Sequence, residues 1–426
     1  MTSLEKCDPQ VAAILAAEVK RQSETLELIA SENHCSGPVM EAMGSVLTDK
    51  YAEGYPQRRY YCGNENTDAI EQLCIDRAKA LFHAEHANVQ PHSGTSANLA
   101  VYLACLKPGA KIMGMNLAHG GHLSHGMHLN ISGMVYQTAH YGVDPKTERL
   151  DMDQVREAVL KERPDILVVG ASAYPRKIDF AAFGAIAREA GCLMLSDIAH
   201  IAGLVVGHVH PDPTPHSDFV TTTNHKTLRG PRGGIILCRG KWAKAIDAAV
   251  FPGIQGGPLE HVIAGKAVAF FEAMQPGFKT YARRIVDNAR VLAERLMSKG
   301  WRLVSGGTDN HLMLLDLRSR ESDLTGHLAA DWLACAGIIA NWNSIPFDPR
   351  PPMRASGLRF GSPAVTTRGM GADEMNLIGD WIDKILLSHG EAQPIEEVRQ
   401  GVLELCRTFP IPARDGECAF ECPVRN

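Results

Sequence analysis

From about residue 35 to residue 275, short unbroken apolar runs alternate with stretches whose apolar side chains return every three or four positions. Cys192–Ser196, Ile166–Val169 and Ile235–Leu237 read as buried strands, and the β-branched run ending at Thr223 reads as another. Ile70, Leu73, Cys74, Ala78 and Leu81 recur with helical spacing and predict one apolar helix face. Strands and helices in alternation predict an α/β fold, a mostly parallel sheet whose crossover helices flank it. Ahead of this region, Met1 to about Ala30 has the pattern of a polar amphipathic arm. Behind it, Pro276-Gly277 interrupts the pattern before a long helix around Tyr281 to Ser298. A smaller α+β region follows, with a strand at Leu312–Leu315, and from about Pro410 the chain lacks periodicity and reads as a loose end. The expected organisation is an arm over 1–34, a large domain over 35–278 and a small C-terminal domain over 279–426. No internal repeat or low-complexity tract is visible.

Composition narrows the class of protein. The chain has 426 residues, 45% hydrophobic and 21% charged, ordinary values for a globular protein of two domains. A formal net charge of −5 gives no general attraction for nucleic acid or an acidic membrane. The first thirty residues lack a basic segment followed by an apolar core, and no later run is long enough to span a bilayer. Eleven cysteines without CxxC spacing suit free thiols in a reducing compartment, so the expected location is the cytoplasm.

The chemistry concentrates in the run from Asp218 to Gly234, where a strand ends in Asn224-His225-Lys226-Thr227 and then Arg229, Gly230, Arg232, Gly233 and Gly234. A partly shielded lysine among fixed positive charges loses its proton readily and becomes nucleophilic. A carbonyl cofactor such as pyridoxal 5'-phosphate wants an amine of this kind, with cationic or amide donors nearby for its phosphate. A lysine in a turn is by itself ordinary. Asp197, at the end of the run Cys192–Ser196, is placed to hold a pyridine nitrogen protonated, although an Asp in such a position is often only a helix cap. Ser93-Gly94-Thr95 opens a helical stretch from Ala97 to Leu106 and fits a phosphate cradle, with helix capping as the alternative. His119, His122, His125 and His128 recur every third residue, but four glycines between 114 and 126 argue against a regular helix. With no Asp, Glu or Cys close by in sequence, no metal site is expected there.

These segments resemble the serine hydroxymethyltransferase family of fold-type I pyridoxal-phosphate enzymes. The resemblance also rests on Leu28–Asn33, Tyr51–Pro56, Gln90–Thr95, Ala118–Gly126, Gln255–Pro258 and Ser356–Ala364, in family order along nearly the whole chain. It implies that Lys226 carries the cofactor and that Ser93, Gly94 and Thr95 hold its phosphate, together with Gly257 of a second subunit. It further implies that His122 stacks on the cofactor ring, that Asp197 faces the pyridine nitrogen, and that Ser172, His200, Thr223 and Arg232 surround the ring oxygen and the lysine linkage. Arg359 and Ser31 would bind the amino-acid carboxylate. Tyr51, Glu53 and Tyr61 would reach into the neighbouring subunit's site, with Glu53 as the proton-transfer group. Tyr60, Leu117, Leu123 and Asn343 would contact tetrahydrofolate. The implied assembly is a homodimer with shared sites, and the implied reaction interconverts serine and glycine with transfer of the one-carbon unit to tetrahydrofolate.

Some positions depart from the family pattern: Ser96 for Gln, Cys62 for Gly, Asn66 for an aromatic residue, Asn224 for Thr and Trp342 for Lys. They bear on substrate choice. Related enzymes transfer a hydroxymethyl group from α-methylserine (2-methylserine) with D-alanine as product, or cleave threonine-like β-hydroxy amino acids without folate. A silent binding paralogue is a further alternative, opposed by the joint presence of Lys226, Asp197, His122, Glu53 and Arg359.

Overall fold

The computed structural model describes residues 3–412. Seven strands form the central sheet: β1 (His86–Asn88), β2 (Lys111–Met115), β3 (Gln137–Tyr141), β4 (Ile166–Val169), β5 (Leu193–Asp197), β6 (Phe219–Thr223) and β7 (Gly234–Cys238). Their spatial order is β1-β7-β6-β5-β4-β2-β3, and only β7 runs against its neighbours. The fold is α/β, a mostly parallel sheet flanked by helices. Every residue of β4 and β6 is buried, because helices cover both faces and leave no face for polar alternation. Successive side chains feed opposite cores: Leu167 and Met194 join one, Val168 and Leu195 the other.

The helices of the chain include α1 (Pro9–Glu24), α2 (Glu65–Phe82), α3 (Gly94–Cys105), α4 (Glu260–Ala273) and α5 (Pro276–Ser298). None of the residues of α1 is buried, and Val11, Ile14, Leu15 and Val19 are exposed along it. On α2 the buried face runs through Thr67, Glu71, Cys74, Ala78 and Phe82, whereas Leu73 is exposed. The apolar pattern placed that face about one position away, because it had no means of anticipating a buried Glu71. The glutamate turns inward to meet Arg59 and Gln90. Helix α5 begins at Pro276 rather than near Tyr281. Proline at the first helical position sacrifices no hydrogen bond, so the residue read as a breaker is a starter. Similarly, α3 starts at Gly94, three residues before the expected Ala97.

A second, four-stranded antiparallel sheet follows, ordered β8-β9-β11-β10: β8 (Arg302–Leu303), β9 (Leu312–Asp316), β10 (Asn341–Asn343) and β11 (Gly357–Gly361). Phe278, Tyr281, Ala282 and Ile285 of α5 pack into the core of the large sheet. Ala289, Leu292, Ala293 and Leu296 of the same helix pack into the core of the small one. The end of the arm joins that second core through Leu26 and Leu28, and Leu26–Glu27 pairs with Ile338–Ile339. The expected loose end falls mainly on 413–426, outside the described residues. Among the described residues no helix is long and apolar enough to cross a membrane.

Candidate active site

A cleft of about 360 Å³ opens at the carboxyl ends of β4, β5 and β6, where an open α/β sheet collects its ligands. It brings together Ser31, Ser93, Gly94, Thr95, His122, Ser172, Asp197, His200, Thr223, Lys226, Arg232 and Arg359. These residues come from strand ends, turns and a helix start spread over more than three hundred positions. Lys226 is only 9% exposed. Burial is the main influence on its amine, the Asp197 carboxylate opposes it, Arg359 and Arg232 reinforce it, and the pKa settles at about 8. Such an amine is readily freed of its proton near neutrality. The Asn33 amide donates to the Lys226 carbonyl at 3.0 Å and to the Tyr281 hydroxyl at 2.8 Å, which fixes the backbone that presents the lysine.

Asp197 is the last residue of β5. Burial alone would raise its pKa, but a hydrogen bond from His125, the charges of His125 and His122, and the Asn98 amide hold it well below the usual carboxylate range. His125 Nε2 lies 2.9 Å from Asp197 Oδ2, Asn98 Nδ2 donates to the same oxygen at 2.8 Å, and the Ala199 amide donates to Oδ1 at 3.0 Å. Thr221 donates to the Asn98 carbonyl oxygen at 2.6 Å and so orients that amide. The sequence offered no carboxylate near the histidine run, yet packing sets Asp197 against it. His122, His125 and Asp197 present ligand atoms within 4.8 Å of one another. His125 spends Nε2 on that carboxylate, and His122 Nδ1 lies 2.7 Å from the Ser124 hydroxyl. The run itself forms two short 3₁₀ turns, Leu117–His119 and Leu123–His125, split by Gly120-Gly121.

The start of α3 faces the cleft. Ser93 caps it, accepting from the Ser96 amide at 3.2 Å, while the Ser96 hydroxyl accepts from the Ser93 amide at 2.9 Å. The residue that departs from the family pattern thus closes a capping box. The first-turn amides and the helix dipole make the end of α3 an anion site. Two glycines allow the close approach this requires. A Cβ on Gly94 would stand 2.8 Å from Thr223 Cγ2, and one on Gly234 would stand 2.4 Å from the Ser93 carbonyl oxygen.

Two polar links cross from the small sheet to the large one at this cleft. Arg359, on β11, donates to the Ser172 carbonyl at 2.8 Å and to Asn341 Oδ1 at 3.1 Å, and burial lowers its pKa to about 10. His311, immediately before β9, sets Nε2 at 3.3 Å from His200 Nδ1, with the rings stacked at 5.5 Å. Burial keeps both imidazoles neutral, drawing His311 down to about 3 and His200 well below its usual value. His311 Nδ1 is buried without a protein partner. An unpaired N–H is the rarer fault than an unpaired lone pair. This assigns the proton to His311 Nε2, with His200 Nδ1 as the acceptor and the His200 proton on Nε2, an assignment that hydrogen-bond satisfaction favours.

The other expected site residues gather elsewhere. The Tyr51 and Tyr61 hydroxyls each donate to Glu53 at 3.4 Å, and their rings meet edge to face at 5.3 Å. A Cβ on Gly257 would touch the Tyr51 ring at 3.5 Å. These residues form a second cluster that does not line the cleft of the same chain. Tyr51, Tyr60 and Tyr61 are exposed, as are Leu117 and Leu123. Arg59 pins the loop from below. It donates to the Ala52 and Gly54 carbonyls at 2.8 and 3.1 Å and pairs with Asp68 at 2.8 Å and Glu71 at 2.5 Å. Asn343 ends β10, and Cys62, Asn66 and Trp342 are exposed and lie outside the cleft lining.

His125, Asn98, Asn33 and His311 escaped the sequence reading as site residues. Asn33 and His125 sat inside segments already singled out; Asn98 and His311 gave no local signal.

A shielded lysine, an aspartate held ionised and a helix start with its first-turn amides, all in one cleft, suit a carbonyl cofactor with a phosphate. Comparison with known proteins agrees. The family model described as serine hydroxymethyltransferase matches residues 4–382. A serine hydroxymethyltransferase of Nostoc punctiforme is 57% identical over 409 residues, covering 96% of this chain and 95% of that protein. One from a Synechococcus species is 57% identical over 419 residues, covering 96% of each. The chain belongs to the serine hydroxymethyltransferase family, whose members are pyridoxal-phosphate enzymes that take tetrahydrofolate as co-substrate.

Proposed function

We propose that this chain interconverts serine and glycine, passing the hydroxymethyl carbon to tetrahydrofolate. The observation that carries the reading is the meeting of Lys226, Asp197 and Arg359 in one cleft of a chain of this family. Pyridoxal phosphate, when bound, supplies the electron sink for breaking bonds at the substrate's Cα. Lys226 would hold it covalently, with the α3 amides, Ser93, Thr95 and Arg232 around its phosphate and ring. The ionised Asp197, buttressed by His125 and Asn98, keeps a negative charge where a pyridine N–H needs one. His122 would lie against the ring, and Ser172, His200 and Thr223 would face its polar edge. The Arg359 fork, aided by Ser31, suits the substrate carboxylate. Breaking the Cα–Cβ bond of serine also requires the β-hydroxyl to give up its proton. Glu53 is the carboxylate assigned to that proton.

Glu53, Tyr51, Tyr61 and Gly257 cluster away from their own chain's cleft, which supports a homodimer in which they complete the neighbouring subunit's site. Tyr60, Leu117, Leu123 and Asn343 would then meet the folate. In this reading residues 35–278 form the cofactor-binding part and 279–426 the smaller part. Free cysteines among the described residues suit the cytoplasm. The 57% identity to two proteins named serine hydroxymethyltransferase favours plain serine over α-methylserine.

The test compares kcat/KM for serine and α-methylserine at saturating tetrahydrofolate, and again without folate. Serine should win and should depend on folate. A preference of about tenfold or more for α-methylserine, the scale on which one methyl discriminates, would replace the substrate. Turnover indifferent to folate would replace the reaction with an aldol cleavage.

A further inference from the structure

Anion recognition by backbone amides demands that the turn bearing them be held still. The segment Val89–His92 leads straight into Ser93-Gly94-Thr95, and two side chains hold it from opposite sides. Lys266, on α4, is 1% exposed and donates to three carbonyls: Val89 at 2.7 Å, Pro91 at 3.2 Å and Gly234 at 2.9 Å. Gln255, five residues before α4, accepts from the His92 amide at 3.0 Å and donates to the Gln90 carbonyl at 3.0 Å. Successive carbonyls of an extended segment point opposite ways, so 89 and 91 face the lysine while 90 faces the glutamine. The Gly234 amide donates to Pro91 at 3.0 Å and closes the shelf against β7.

The lysine is not itself a phosphate ligand. An ammonium has three donors, and all three are spent on carbonyls. Burial lowers its pKa to about 8, which still leaves it charged at pH 7. The fit is close enough that a Cβ on Gly233 would stand 2.6 Å from Lys266 Cε.

We infer that Lys266 and Gln255 are positioning residues that preset the phosphate-binding turn, so that affinity for the phosphate group, rather than for the pyridine ring, depends on them. The inference rests on the cleft being a pyridoxal-phosphate site. Gln255 stands two residues before Gly257, which the proposed dimer hands to the neighbouring site. One short loop would then steady its own cradle and complete another.

The test uses the full-length chain, resolved of cofactor and titrated with pyridoxal 5'-phosphate, pyridoxal and inorganic phosphate. Lys266→Met should weaken the two phosphate-bearing probes by about tenfold or more and pyridoxal by less than about twofold, because displaced donors cost affinity only for the group they meet. Gln255→Ala should show the same split at about three- to fivefold, and it supplies the result if Lys266→Met does not fold. Lys266→Arg should fall between, since a planar fork cannot converge on three carbonyls. Equal weakening of all three probes, or unchanged phosphate affinity in a folded variant, overturns the inference while leaving the cleft assignment intact. A parent chain that binds none of the probes overturns the cleft assignment and this inference with it.

Discussion

The His311–His200 pair gives a prediction that reaches from the small sheet into the active cleft. Replacing His311 by Phe keeps a ring in the buried site but removes the donor that lies 3.3 Å from His200 Nδ1. A neutral hydrogen bond nets about 1 kcal/mol. That bond multiplies the ratio of the His200 tautomer protonated on Nε2 to the one protonated on Nδ1 by about 5. With nothing else biasing the ring, the Nε2–H form falls from about five parts in six to about half. Turnover that needs this tautomer would drop by less than about twofold, so rate is the wrong assay. The informative one is ¹⁵N NMR of His200 in histidine-labelled chain. The parent should show a protonated Nε2 and a lone-pair Nδ1, and His311→Phe should move the two shifts toward each other. His311→Gln offers an amide donor and should restore the separation in part. Stability gives a separate control, since a slightly larger ring in a full site costs about 1–3 kcal/mol through overpacking alone. A parent His200 protonated on Nδ1, or shifts unmoved by His311→Phe, would refute the reasoning.

Three further outcomes are expected. Asn224 is fully buried, and neither end of its side-chain amide has a protein partner, so Asn224→Val should stabilise the chain by about 1–3 kcal/mol in denaturant unfolding, and a loss of stability would refute this. Burial lowers the His210 pKa to about 4, and His210 Nε2 accepts from the Ile178 amide. The unfolded state therefore binds the extra proton as pH falls from about 6.5 towards 4, and stability is lost across that window. His210→Gln, which keeps an acceptor but does not titrate, should recover about 2 kcal/mol relative to parent at pH 5 and nothing at pH 8, and an equal difference at both pH values would contradict it. Mixing Glu53→Gln with Lys226→Ala under subunit exchange should restore part of the activity lost in each, because one site of the mixed dimer is intact, and no recovery in a verified heterodimer would show that sites are built within one chain.

Much of this molecule is legible along the chain. Unbroken apolar runs and period-3.6 apolar patterns report which side chains leave water, and that local fact already specifies alternating strands and helices. Asp197 and Lys226 were visible because one ends a strand and the other lies in the turn just after one, and strand ends in such a sheet converge on one crevice. The rest depends on which buried polar groups meet, and that energy is local in space rather than in sequence. His125 reaches Asp197 across 72 positions, His311 reaches His200 across 111, and Lys266 reaches Val89 across 177. Glu71 reads as a surface residue until Arg59 and Gln90 are folded against it, and with it the face of α2 shifts. Pro276 reads as a break until its place at the first turn of α5 makes it a beginning. A buried charge or amide is tolerated only where tertiary packing delivers its partner, so only the folded chain decides which polar residues belong to the core of the site.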